Sequence, residues 1–315
     1  MLKFQQAPKE YNSVFLDDTD KALPEVLNPH TRYMFMSTIA TGGKSLIKAC
    51  KDRHLNRIVA YKTLRKEFLN DEIENKRFLR EARVSAMLQH PSTIPIYEIG
   101  RDNQGHYYFT MKLVHGYTLR EIMDYRERYD LFQLIDVIIQ ISQALAAAHN
   151  SGVAHRDIKP ENILVGSFSE VLLLDWGLAK VWSKDGSVLS DDGHQSKLVE
   201  NLDKSMTGFG KLQGTICYMS PEQIRRDQDI SFSSDIYSLG AVLYELLAGV
   251  PPFNSEKVYE LLAMIENDAP ELPSKITKLH VPKVLEKLCL KCLQKDPQLR
   301  PSIKEVIQTL QQDWI

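Results

Sequence analysis

His155-Arg156-Asp157-Ile158-Lys159-Pro160-Glu161-Asn162, followed by Asp175-Trp176-Gly177, puts two aspartates, an ammonium and a side-chain amide on two short neighbouring turns. The two aspartates are 175 − 157 = 18 positions apart. Asp157 can orient a hydroxyl and accept its proton, and Lys159 can neutralise an anionic group in transit. Asn162 and Asp175 offer hard oxygens of the kind Mg²⁺ accepts alongside phosphates. These are the demands of phosphoryl transfer, which asks a protein for positioning and charge screening more than for covalent chemistry. A charged surface turn would account for any one of these residues but not for the ordered set.

The composition is globular: of 315 residues, 43% are hydrophobic and 25% charged, enough for two domains or one large bilobal unit with a substantial core. Lys+Arg 39 against Asp+Glu 41 gives a net charge of −2, so the overall field favours neither nucleic acid nor a membrane surface. No run approaches the ~18 apolar residues of a membrane helix. Residues 1–20 carry Lys3, Lys9, Glu10, Asp17, Asp18 and Asp20 with no apolar stretch, so no secretory signal and a cytoplasmic location are expected. Cys50, Cys217, Cys289 and Cys292 are too few for a disulfide scaffold in a chain this long. Cys289-x-x-Cys292 lies in an apolar helical pattern without a second ligand pair, which reads as core and not as a metal site.

Along the chain, residues 1–30 show no sustained period and read as an extended or loosely docked arm. The β-branched and aromatic runs Ile58-Val59-Ala60-Tyr61, Ile94-Pro95-Ile96-Tyr97 and Tyr107-Tyr108-Phe109 predict a small sheet, interrupted by one helix over roughly 71–89. After His115-Gly116 long helical patterns take over. The first runs from Leu131 through Ala146 and is stopped by Gly152, and others follow near 234–248, 256–267, 282–294 and 302–312. Residues 178–213 form a long polar segment with little periodicity, of the kind that is functional or disordered in compact domains.

The order of the remaining motifs over roughly 32–312 resembles the eukaryotic-type, or Hanks-type, serine/threonine protein kinases. Val59-Ala60-Tyr61-Lys62 is similar to the strand that presents the phosphate-binding lysine, and Gly214-Thr215-Ile216-Cys217-Tyr218-Met219-Ser220-Pro221-Glu222 to the end of the activation segment. Asp-Trp-Gly-Leu-Ala-Lys at 175–180 and Tyr-Met-Ser-Pro-Glu-Gln at 218–223 look more like bacterial members. The resemblance implies an α+β, bilobal fold. It comprises a small β-rich N-lobe over 31–111, a hinge over 112–116 and a larger, mainly α-helical C-lobe over 117–313, with the activation segment at 175–222. It implies ATP and Mg²⁺ as cofactors, with Mn²⁺ able to substitute, and protein substrates with Ser or Thr acceptors. Neither nucleic acid nor a membrane segment is implied, and a transient homodimer would serve trans-autophosphorylation.

Carried over residue by residue, the resemblance makes Asp157 and Lys159 catalytic and Asn162 and Asp175 the metal holders. It pairs Lys62 with Glu81 over the nucleotide phosphates. Ile39-Ala40-Thr41-Gly42-Gly43-Lys44-Ser45-Leu46-Ile47 stands where the glycine-rich loop should be. Only Gly42 matches, and Ala40 and Ser45 forfeit part of the close approach that glycine allows. Met111 would be the gatekeeper, Lys112 and Val114 would hold adenine, and Ile39, Ile47, Ala60 and Leu164 would sandwich it; as bare sequence these residues read as core. Lys159 and Thr215 fit a Ser/Thr specificity. Arg156 would pair with a phosphate on the loop, at Ser205 or Thr207. Glu222 and Arg300 would form a buried structural ion pair. Asp235 would start a helix and buttress the catalytic turn, although by itself it reads as an N-cap. Trp176, in place of the usual Phe, would be size-matched to Ser85, with the indole N–H or the Ser85 hydroxyl finding a polar partner, or else Ser85 would face solvent. A pseudokinase scaffold and a small-molecule phosphotransferase are the alternative functions; the second would lack the 214–222 segment.

Overall fold

The computed structural model describes residues 31–183, 185–190, 214–227 and 230–312, so the 1–30 arm and both Ser205 and Thr207 lie outside the described residues. The chain divides into two compact units. The first holds the residues up to Gln89 with Thr93–Gly116 and Gly166–Ser169; the second holds His90–Ser92, Tyr117–Val165 and everything from Glu170 on.

In the first unit β1 (Tyr33–Thr41), β2 (Ser45–Asp52), β3 (Arg57–Leu64), β4 (Ile96–Arg101) and β5 (Tyr107–Met111) form one antiparallel sheet in the order β1-β2-β3-β5-β4. Helix α1 (Glu72–Met87) packs on β4 and β5, with the Phe78 and Phe109 rings 4.8 Å apart. Asp71 caps α1 by accepting from the amides of Ile73 and Glu74 at 2.9 and 3.1 Å, two donors the helix cannot satisfy internally. The fourth strand starts at Ile96 and not at Ile94: Pro95 has no N–H for the ladder, and its carbonyl accepts from the Lys112 amide. Ser85 is 4% exposed, which excludes its facing solvent.

Strand β6 (Gly116–Thr118) leads into the second unit, followed by α2 (Leu119–Met123) and α3 (Leu131–Asn150). Then come the short strands β7 (Val153–Ala154), β8 (Ile163–Gly166), β9 (Val171–Leu173), β10 (Lys180–Trp182) and β11 (Val188–Ser190). Helices α4 (Pro221–Arg225), α5 (Phe232–Ala248), α6 (Val258–Asn267), α7 (Pro273–Ile276), α8 (Lys283–Cys292) and α9 (Ile303–Gln312) complete it. Strands β10 and β11 pair within the stretch expected to lack regular structure.

Helix α5 is the centre of this unit, buried at every residue from Ser234 to Ala248. It lies against α8 so closely that a Cβ on Gly240 would come within 2.5 Å of the Cys292 Cβ. Its cap is Ser231, not Asp235, because a short polar residue outside the apolar pattern satisfies the first turn and leaves the Asp235 carboxylate for another task. Contrary to the sequence expectation of no such run, α3 is long and apolar enough to cross a membrane, a property that a buried core helix shares. Its apolarity has a different use here: Leu134, Ile135, Ile138, Ile141 and Leu145 are at most 1% exposed in the unit's core. Gly152 follows α3 at φ +72, where a Cβ would also meet the Trp182 carbonyl oxygen at 2.8 Å. Cys289 and Cys292 are buried and free, as a core reading requires.

Candidate active site

In the first unit, β3 presents Lys62 and the third turn of α1 presents Glu81. The ammonium donates to both carboxylate oxygens, at 2.5 and 2.7 Å, with the side chains 11% and 14% exposed. The β1–β2 hairpin beside them turns at Gly42-Gly43-Lys44, closed by the Gly42 amide on the Ser45 carbonyl at 2.9 Å. Ala40 and Ser45 fall inside the strands, where no glycine-only conformation is needed; neither has a positive φ. Lys44, at the hairpin tip, donates to Glu74 Oε1 of α1 at 2.6 Å. Met111 ends β5, buried and opposite Ala60. The Lys112 amide is engaged by Pro95, and Val114 is half-buried in the segment that follows. Ile47 is half-buried on β2, and Ile39 is 44% exposed on β1.

The second unit holds the turn expected from the sequence to be catalytic. Lys159 Nζ donates to Asp157 Oδ1 and Oδ2 at 2.9 and 2.8 Å, and to Thr215 Oγ1 at 3.3 Å. Asn162 Nδ2 donates to the Asp157 carbonyl at 2.8 Å and to its Oδ2 at 3.0 Å. Burial pushes the Asp157 carboxyl upward, the Lys159 charge pulls it back and the Asp175 charge adds to the rise; the net direction is up. Burial opposes the Lys159 charge, but Asp157 outweighs it and the ammonium titrates above its ordinary range. Asp175 sits at φ +64 and accepts from the Gly177 amide at 3.4 Å. Leu164 lies on β8 opposite Leu172.

Asp235 shapes this turn. Its Oδ2 accepts from the His155 amide and its Oδ1 from the Arg156 amide, both at 2.8 Å, and His149 Nε2 lies 2.8 Å from Oδ2. Burial raises the Asp235 carboxyl, yet the His149 hydrogen bond and the neighbouring charges win and hold it below the usual range. Those bonds keep Arg156 at φ +70, a conformation non-glycine residues adopt only when the surroundings enforce it. The Arg156 carbonyl accepts from Gln223 Nε2 at 2.9 Å, tying α4 to the turn. The His155 Nε2 position lies 2.9 Å from the Leu174 carbonyl, and Nδ1 accepts from the Asp157 amide at 3.2 Å. The imidazole therefore bridges the Asp157 turn and the Leu174–Asp175 turn as the Nε2–H tautomer.

Trp176 is fully buried with its ring 4.5 Å from His155. Its Nε1 has no hydrogen-bond partner among the described residues, so of the two expected polar contacts the one at the indole is not made. Glu222 and Arg300 form a bidentate pair at 2.6 and 2.8 Å. Sequence reasoning missed His149 and Gln223, neither of which carries a short-range signal.

Asn162 and Asp175 supply oxygen donors only, and no group of three or more His, Cys, Asp or Glu residues that could hold a metal occurs among the described residues. That donor set suits Mg²⁺, which keeps waters and substrate phosphates in its shell, and not a dedicated protein cage.

The chain matches the protein kinase domain family over residues 33–315. It is 34% identical over 299 residues to the serine/threonine-protein kinase PknD of Protochlamydia amoebophila, covering 89% of this chain and 29% of that protein. To a probable serine/threonine-protein kinase of Clostridium perfringens it is 34% identical, covering 89% and 38%. To the serine/threonine-protein kinase pkn3 of Myxococcus xanthus it is 31% identical, covering 91% and 50%. The chain thus spans half or less of the length of these bacterial relatives.

Proposed function

Since the chain belongs to the protein kinase domain family, we propose that it is an active serine/threonine protein kinase that moves the ATP γ-phosphate onto Ser or Thr hydroxyls of proteins. The observation that carries this reading is the Lys159 ammonium shared between both oxygens of Asp157 and the hydroxyl of Thr215. In that arrangement Asp157 orients the acceptor hydroxyl and takes its proton, and Lys159 neutralises the group in transfer. Lys62, held by Glu81, binds the α- and β-phosphates. Asn162 and Asp175 hold Mg²⁺, with Mn²⁺ able to replace it; the cation, when bound, neutralises phosphate charge. Thr215, next to Lys159, favours Ser and Thr acceptors.

The same reading includes a cytoplasmic location, which four free, buried cysteines accord with, and transient pairing of two copies for autophosphorylation. It includes no nucleic-acid partner. It also includes regulation by phosphate on Ser205 or Thr207 drawn to Arg156, whose guanidinium can pair with phosphate. The pseudokinase reading is less favoured, because every charged group the chemistry needs is present.

Thermal shift with Mg²⁺-ATP followed by phosphoamino-acid analysis of a labelled protein substrate tests the proposal. Stabilisation with label on Ser or Thr supports it; stabilisation without transfer would favour the scaffold reading.

A further inference from the structure

The tip of the β1–β2 hairpin carries a lysine with no part in the chemistry assigned to Lys62 and Lys159. Lys44 Nζ donates to Glu74 Oε1 at 2.6 Å, and Arg77 Nη1 donates to the same oxygen at 2.9 Å. The Lys44 side chain is 50% exposed, whereas those of Glu74 and Arg77 are 11% and 13% exposed. The backbone of the tip is pinned independently of that side chain. The Arg65 amide donates to the Lys44 carbonyl at 2.8 Å, and the Gly42 amide to the Ser45 carbonyl at 2.9 Å. Rotation of Lys44 about its flexible four-carbon stem therefore leaves the hairpin bonds in place. It also strands no buried charge, because Arg77 stays on Glu74 when Lys44 leaves.

The pair repeats Lys62 and Glu81 one step along the same elements. Ile47 of β2 stands opposite Lys62, and Lys44 lies 47 − 44 = 3 residues nearer the tip, about 10 Å at the rise of a strand. Glu74 and Glu81 are 81 − 74 = 7 residues apart on α1, so they share a face about 10.5 Å apart. Ala40 and Ser45 stand where glycines would let the backbone come close to phosphate. A cation at the tip attracts phosphate without that close approach. We propose that Lys44 is a second phosphate-binding lysine, which exchanges Glu74 for the terminal phosphate of ATP while Lys62 holds the inner ones. With ADP that phosphate is missing and Lys44 stays on Glu74, so the residue distinguishes the two nucleotides. This rests on the kinase reading above.

Calorimetric titration of the whole chain with a non-hydrolysable ATP analogue and with ADP, both in Mg²⁺, reads this without turnover. The wild type should bind the triphosphate more tightly. Lys44→Ala should weaken the triphosphate by about fivefold, the worth of a near-surface ion pair, and leave ADP unchanged. Lys44→Arg should keep the wild-type ratio of the two dissociation constants. Glu74→Gln removes the competing carboxylate and should tighten the triphosphate alone, and the double variant should match Lys44→Ala. If Lys44 only ties the hairpin to α1, Lys44→Ala weakens both nucleotides alike or neither, which would overturn the proposal. Equal wild-type affinities for the two nucleotides would overturn it too. A wild type that binds neither nucleotide contradicts the kinase reading and takes this proposal with it. One that shows the expected ratios and transfers no phosphate contradicts that reading alone, and Lys44 keeps its role in binding.

Discussion

Asp235 shows how one side chain can hold a catalytic turn without taking part in the chemistry. Its two oxygens accept the amides of His155 and Arg156, and Arg156 keeps a left-handed backbone because of it. Asp235→Asn turns an amide nitrogen toward a backbone donor and strands a buried N–H, at a cost of about 1–3 kcal/mol. We expect kcat to fall at least about tenfold, equivalent to 1.4 kcal/mol of lost positioning, in protein that still folds. Circular dichroism alongside steady-state kinetics checks this; unchanged kcat would contradict it.

Glu222 and Arg300 behave differently, because both are buried, with side chains 4% and 0% exposed. Burial raises the Glu222 carboxyl, but the Arg300 hydrogen bonds and charge outweigh it and hold it below its ordinary value of 4.5. A depressed carboxyl stabilises the fold above its unfolded pKa, and that stability is lost as pH falls through the folded value. Arg300→Ala should therefore cost about 3–5 kcal/mol near neutrality. Urea unfolding should find the gap between wild type and variant narrowing below pH 4.5. A gap that stays constant into acid would contradict the assignment.

At the scale of the element, α1 is placed by its cap and its packing. Asp71→Ala removes the acceptor for two amides and should cost about 1 kcal/mol, most of it as fraying of the first turn. Hydrogen exchange should show faster exchange at Ile73 and Glu74 than at Glu81; uniform protection along the helix would contradict this. The apolar spacing Phe78, Leu79, Ala82 made α1 legible, because helical periodicity is local. The catalytic turn was legible for a similar reason: its charged groups are nearly consecutive. What stayed hidden were contacts between remote positions. Arg120 meets Tyr218 98 positions away and Glu245 125 away, and no short-range pattern encodes either. Ser231 escaped notice as a cap because Asp235, with the same chemistry, stood nearer the apolar run.

At the scale of the whole molecule, the chain joins a β-rich unit that clamps Lys62 on Glu81 to a helical unit that holds Asp157, Lys159 and Asn162 together. The division into a sheet and a helical part followed from the change of period after Gly116, from alternation to helical spacing. The apolarity of α3 was harder to place from sequence, since a core helix and a membrane helix share the same composition and only packing distinguishes them.

The central claim is that this arrangement performs phosphotransfer to hydroxyls. The direct test is incubation of wild type and Asp157→Asn with Mg²⁺ and ATP, followed by mass spectrometry of the whole chain. Phosphate on Ser or Thr of the wild type and none on the variant is the predicted result. Equal phosphate on both proteins, or none on a wild type that binds ATP, would contradict it.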